Sequence, residues 1–227
     1  VTQDNTKQLL LNAAQKLFAE KGYEAVSTRE LAEVAGVNLG AIQYHFGSKA
    51  KLFVEAIHEM MSGGACVKAA AAIEGVSKNK IEAARKLCNF VIALLDNMLR
   101  PKGPDPFRLI FREILSGASH DEEMFEVLVS STVENYTRPL VEQMVSVLAV
   151  IRPELSKREL SRISASIAGQ CSFYVTHQPF VERLNNESLV KESVFQDIAK
   201  HICKFSLQAL LCETELINQV IKEIFDN

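Results

Sequence analysis

Apolar residues recur along almost the whole chain at helical spacing. Between residues 5 and 21, Leu9, Leu10, Ala13, Ala14, Leu17 and Phe18 fall on one stripe, which predicts an amphipathic helix. Lys21-Gly22 is expected to end it, with a cation in the last turn and a glycine free to enter the left-handed region. Ser27-Thr28-Arg29-Glu30 has the pattern of a capping box, in which Ser27 and Glu30 satisfy each other's backbone donors. The short helix it opens, RELAEVA, stops at Gly36, and a third, LGAIQYHF, follows the Val37-Asn38 turn. Ile42 and Phe46, four apart, are expected to pack on Leu31 and Val34. Helices of two turns are unstable alone in water, so the three must fold as one unit. A short helix, a glycine-containing turn and a second short helix form a helix-turn-helix arrangement.

The same periodicity continues to the end of the chain, over segments 49–74, 79–100, 106–117, 121–150, 156–177, 189–212 and 214–225. Breaks are expected at Arg100-Pro101 through Pro106, at Ser116-Gly117, at Arg152-Pro153 and at Gln178-Pro179. No alternating strand pattern and no Gly-rich phosphate loop interrupts it. The expected fold class is all-α: an N-terminal three-helix bundle over residues 1–50, joined to a larger helical body over 51–227. No apolar run approaches the roughly 18 residues that span a bilayer, so no membrane partner is expected.

Of the 227 residues, 48% are hydrophobic and 23% charged, ordinary values for a globular protein with a sizeable core. The five cysteines (66, 88, 171, 203 and 212) are scattered and never form C-x-x-C. They are expected to be buried thiols in a reducing cytoplasm. A net charge of −3 argues against nucleic acid only until its distribution is considered. Residues 1–51 hold six Lys and Arg against five acids, so the acidic excess lies in the remainder. No cofactor is expected. An enzyme is not expected either: His58-Glu59 lacks the second histidine of a zinc-protease helix, G-x-S-x-G is absent, and Cys171 and His177 do not share a helix face.

The segment GAIQYHFGSK (40–49) changes the picture most. With Ile42 and Phe46 turned inward, Leu39, Gly40, Ala41, Gln43, Tyr44 and His45 occupy the start and outer face of the third helix. Small residues at 40 and 41 allow close approach of the backbone. Gln43 can pair with adenine in the major groove, and Leu39 or Ala41 can meet a thymine methyl. Tyr44 and His45 supply donors for phosphate oxygens. Lys49 and Lys51 stand in the first turn of the next helix, where the dipole disfavours cations unless a phosphate sits there. The partner these groups fit is double-stranded DNA.

The run LLLNAAQKLFAEKGYEAVSTRELAEVAGVNLGAIQYHFGSKAKLF (9–53) closely resembles the TetR family of bacterial transcriptional regulators. The resemblance implies phosphate contacts from Thr28, Tyr44, His45 and Lys49. It implies base contacts from Arg29, Leu39, Gly40, Ala41 and Gln43, with Gln43 standing where tyrosine is frequent. RLIFREIL (108–115), RPLVEQM (138–144) and GQCSFYVTHQPFVERL (169–184) resemble the subgroup that regulates efflux and drug-sensitivity genes. The family implies a homodimer on a palindromic operator, with recognition helices about 34 Å apart, released by a small organic effector. Ile163, Ile167, Phe195, Ile202 and Phe205 are candidates for the dimer interface, with intramolecular core as the other reading. Phe107, Phe111, Met144, Gln170, Tyr174 and His177 are candidates for the effector site. Arg108 and Arg112, four apart, repel each other; solvent exposure or pairing with acids such as Asp105 is the simpler account, and an anionic effector the sharper one. Helix 49–74 would carry effector binding to the reading head. The rival reading is a helical protein-interaction module without DNA binding.

Overall fold

A computed structural model of the chain describes residues 3–62, 65–101, 105–115 and 121–226, and every regular element among them is helical. The first three helices stand where the pattern puts them: α1 is Gln3–Lys21, α2 Thr28–Ala35 and α3 Gly40–Phe46. Half of the capping box forms, since the Ser27 hydroxyl accepts the Glu30 N–H at 3.1 Å. The other half does not. The Glu30 carboxylate pairs with the Lys21 ammonium at 2.6 Å, because the end of α1 lies within reach and a charged partner outcompetes a backbone donor. Gly36 ends α2 at φ 66°, and its N–H and that of Val37 close the helix on the Glu33 and Ala32 carbonyls. Ser27→Ala is therefore expected to cost about 1 kcal/mol, read as a shift in the urea midpoint at constant slope.

Beyond the bundle come α4 (Lys49–Ser62), α5 (Ala65–Ala72), α6 (Lys80–Leu99), α7 (Pro106–Leu115), α8 (Glu122–Thr132), α9 (Arg138–Ile151), α10 (Lys157–Thr176), α11 (Gln178–Asn185), α12 (Glu192–Ala209) and α13 (Thr214–Phe225). Positions 102–104 and 116–117 of the expected breaks lie outside the described residues. Two expectations change. The segment 121–150 is not one regular helix, because a π-turn over Val133–Thr137 separates α8 from α9. Pro139 has no N–H for the Asn135 carbonyl and its ring crowds that oxygen, so the turn ahead of it widens. Gln178-Pro179, expected as a break, instead opens α11, with the proline in the first turn where its missing N–H costs nothing.

The helices pack as two units. Residues of 1–64 and 102–135 form one, and those of 65–101 and 136–227 the other. The sequence pattern divides the chain at residue 50, but the packing keeps α4, α7 and α8 with α1–α3. In the first unit Phe18, Tyr23 and Phe53 form a buried aromatic cluster, with Phe53 edge-on to Phe18 at 4.9 Å and 5.1 Å from Tyr23. In the second, α6 is central and packs against α5, α9, α10, α12 and α13, burying Leu87, Cys88, Val91 and Leu95 completely. Cys88, Cys171 and Cys203 are buried as expected, and burial pushes the Cys171 thiol up to about 12. Cys212 is only half-buried, and the Cys66 side chain lies outside the described residues. Among the described residues, no helix is long and apolar enough to cross a membrane.

Candidate functional site

α3 has only seven residues, so its orientation depends on what it buries. Ile42 and Phe46 are both buried, one turn apart on the inner face. Leu31 joins the core as expected, but Val34 does not: it is 51% exposed. The buried face of α2 is Leu31, Ala32 and Ala35, and Val34 lies outside that arc. Asn38 shapes the entry to α3, its side-chain oxygen accepting the Gly40 N–H at 2.9 Å.

With the inner face occupied, Leu39 and Gln43 point outward, as do Gly40 and Tyr44, each pair four residues apart. Tyr44 is 70% exposed and its ring stands edge-on to that of His45 at 4.9 Å. Ala41 and His45 are half-exposed at the margins of this face. Thr28 and Arg29 stand exposed in the first turn of α2. Eight of the nine candidate DNA-contacting residues thus reach the surface on the two helices of the motif.

Lys49, on α4, is half-exposed as well. Its ammonium turns back to donate to the carbonyls of Tyr23 and Val26, both at 3.0 Å, and lies 3.9 Å from the Tyr23 ring centroid. Burial holds its pKa below the ordinary lysine value. A lysine in the first turn of α4 therefore has an internal partner, and no phosphate is required to explain it. Lys51 remains exposed, and its N–H is capped by the Ser48 hydroxyl at 3.2 Å. Arg108 pairs with Asp105 at 3.1 Å, as expected, while Arg112 donates to the Phe18 carbonyl at 2.6 Å. Their mutual repulsion left solvent, a nearby acid or an anion open, and both side chains are paired while still substantially exposed.

The candidate dimer residues separate by burial. Ile167, Phe195 and Ile202 are buried within the chain's own core, and the Phe195 ring lies 3.8 Å from the Arg100 guanidinium. Ile163 is half-exposed and Phe205 is 53% exposed. The outward face of α10 and α12 carries different residues: Ser166, Gly169, Phe173 and His201 border an open groove of about 490 Å³ that Gln170, Tyr174 and Ile202 complete. Sequence periodicity identified these helices and missed which of their faces is outward.

The candidate effector residues fall in both units. Phe107 and Phe111 belong to α7 in the first unit, whereas Met144, Gln170, Tyr174 and His177 belong to the second. Met144 is core. Gln170 and Tyr174 share the groove, with the Gln170 amide 3.5 Å from the Ser206 hydroxyl. Burial raises the Tyr174 phenol above its ordinary pKa. His177 is exposed at the end of α10, stacked on Phe173 at 4.5 Å.

Two family models match the chain. One, described as bacterial regulatory proteins of the tetR family, matches residues 10–56. The other, the C-terminal domain of the HTH-type transcriptional dual regulator CecR, matches residues 83–210, more than half of the chain. The HTH-type transcriptional repressor AcnR of Corynebacterium efficiens is 46% identical over 55 residues, covering 24% of this chain and 29% of the relative. The HTH-type transcriptional regulator QacR of Staphylococcus aureus is 35% identical over 54 residues, again 24% and 29%. The alignments thus span less than a third of these curated relatives. Among solved structures, a putative transcriptional regulator from Pseudomonas aeruginosa superposes with a TM-score of 0.64 at 18% identity over 92% of each chain. NalD, the secondary repressor of the MexAB-OprM multidrug efflux pump of the same organism, gives 0.60 at 20% identity over 92% and 94%. At these identities the likeness concerns the fold.

Proposed function

The chain belongs to the tetR family of bacterial regulatory proteins, with a C-terminal domain of the CecR type, and from that premise we propose that it is a transcriptional repressor that reads a palindromic operator as a homodimer. The family consists of transcription regulators rather than enzymes, and homodimers and small-molecule effectors are typical of it. The observation that carries the reading is the two-faced third helix: Ile42 and Phe46 lock it to the core, and Leu39, Gly40, Gln43 and Tyr44 are presented to solvent. Gln43 matches the edge of an adenine, Leu39 and Ala41 match a thymine methyl, and Arg29 matches a guanine. Thr28, Tyr44 and His45 hold phosphates. Lys49 supports the head from inside and adds charge behind that surface.

One such head reads few base pairs, so specificity requires two, about 34 Å apart on one side of the duplex. The dimer face of this proposal is the outward side of α10 and α12, with Gly169 and Ser166 permitting close approach and Phe173 and Phe205 supplying apolar area. Phe205→Glu is expected to convert the dimer to a monomer without loss of helix content, measured by sedimentation and circular dichroism. Burying two carboxylates on the two-fold axis region is far costlier than leaving them in water. Release by a small organic effector belongs to the same reading, and a titration that leaves operator affinity unchanged would remove that part.

The reading as a whole is tested by retention of a randomised duplex pool at two salt concentrations. A palindromic consensus, with affinity falling steeply as salt rises, is the expected result. A chain that enriches no duplex after effector has been stripped would be a protein-interaction module instead.

A further inference from the structure

The turn between α1 and α2, residues 22–26, leads directly into the Ser27 cap of α2, and it is gripped by side chains from far along the chain. On one side, Arg112 of α7 donates to the last carbonyls of α1, to Phe18 at 2.6 Å and Ala19 at 3.4 Å. Its neighbour Glu113, only 5% exposed, accepts the Tyr23 N–H at 3.2 Å and the Arg112 Nε–H at 3.3 Å. The Tyr23 hydroxyl donates to Oδ2 of Asp121 at 2.5 Å, while Oδ1 of the same carboxylate caps α8 by accepting the Met124 N–H at 2.9 Å. On the other side stands Lys49, on the Tyr23 and Val26 carbonyls. Gly22 allows the turn its backbone: it sits at φ 85°, a conformation that L side chains rarely adopt, beside the Arg112 guanidinium.

A buried charge is costly unless matched, and the buried Glu113 carboxylate has the Tyr23 N–H and Arg112 as its partners. A capping aspartate needs one oxygen for its helix, yet Asp121 commits the second to a residue 98 positions earlier in the chain. The ring of Tyr23 is held by Phe18, Phe53 and the Lys49 ammonium, and its buried hydroxyl has Asp121 as the partner that burial requires. Because that partner stands at the start of α8, the bond also ties down the turn from which α2, and through the Gly36 turn α3, is launched.

Resting on the DNA-binding reading above, we propose that Arg112, Glu113 and Asp121, which lie outside the helix-turn-helix, are positioning residues for DNA recognition: through Tyr23 and the α1 carbonyls they set the pose in which α2 and α3 meet the duplex. Their effect on affinity passes through the α1–α2 turn and involves no contact with DNA. Groups held to within a fraction of an ångström recognise a base edge, and groups that wander do not.

The test uses the full-length protein and the duplex that the wild type retains. Tyr23→Phe keeps the ring and loses the hydroxyl. Asp121→Ser keeps a capping side chain but is too short to reach Tyr23. Each is expected to bind about tenfold more weakly at 25 °C, the scale of one charge-assisted hydrogen bond, and the double variant no more weakly than the weaker single. The slope of log affinity against log salt stays that of the wild type, because no phosphate contact is lost. If Asp121→Ser does not fold, Tyr23→Phe carries the same test alone. Folded variants within about twofold of wild type, or a double variant whose losses add, would overturn this inference while leaving DNA binding intact. A wild type that binds no duplex would overturn the DNA reading and this inference with it.

Discussion

A chain carrying both Gln43→Ala and Tyr44→Ala is expected to keep its fold and to lose about a hundredfold or more in affinity for the selected duplex, since each base-edge contact is worth about 1–3 kcal/mol and a dimer makes it twice. Neither side chain lies in the core, so the melting temperature should stay near that of the wild type, as for other exposed substitutions. The salt slope should also be unchanged, because neither residue carries a charge and no counterion is released on their account. The loss should be greatest at consensus positions occupied by adenine. An equal loss on all sequences would make Gln43 a backbone contact instead of a reader. A variant that binds as well as the wild type would remove the outer face of α3 from the site.

The second large effect concerns stability. Phe53→Ala is expected to destabilise the first packing unit by about 3–5 kcal/mol, the range for deleting a fully buried aromatic side chain. Phe53 is completely buried and its ring is the shared neighbour of Phe18 and Tyr23, so the cavity cannot close without moving α1 or α4. Against a total stability of about 5–15 kcal/mol for a typical domain, this should bring the unit close to unfolding at 37 °C. Chemical denaturation would show it as an early transition, or as a lower midpoint if the two units unfold together. Val34→Ala is the control. Periodicity makes Val34 a core residue, the structure leaves it half in water, and its replacement should change stability by less than about 0.5 kcal/mol. A large effect at Val34 with a small one at Phe53 would contradict the packing described above.

These outcomes divide along a physical line. The all-helical class, the ends of α1 and α2, the Ser27 cap and the inward pair Ile42 and Phe46 were legible because neighbours three and four apart create them. The outward row on α3 follows from the same arithmetic, so the candidate reading surface could be found residue by residue. Long side chains were not legible in this way. Glu30 left its own helix cap for Lys21, Lys49 turned from the solvent to the carbonyls of Tyr23 and Val26, and Arg112 reached α1 from 94 positions away. The partner of a lysine, arginine or glutamate depends on which element folds within reach of it, and spacing along the chain holds no record of that distance.

The two faces of a buried helix posed the same problem on a larger scale. α10 and α12 are apolar on more than one side, so their pattern admits core and interface alike. Ile167, Phe195 and Ile202 became core only because α6 packs against both helices, leaving Phe173 and Phe205 to the outside. Pro179 is a further instance: the same residue ends a helix when it falls in the interior and begins one when it falls in the first turn, and the chain's path past His177 determines which. Local backbone chemistry is short-ranged and can be read in order along the chain. Burial and charge pairing are settled by contacts among residues that meet only once the helices have packed.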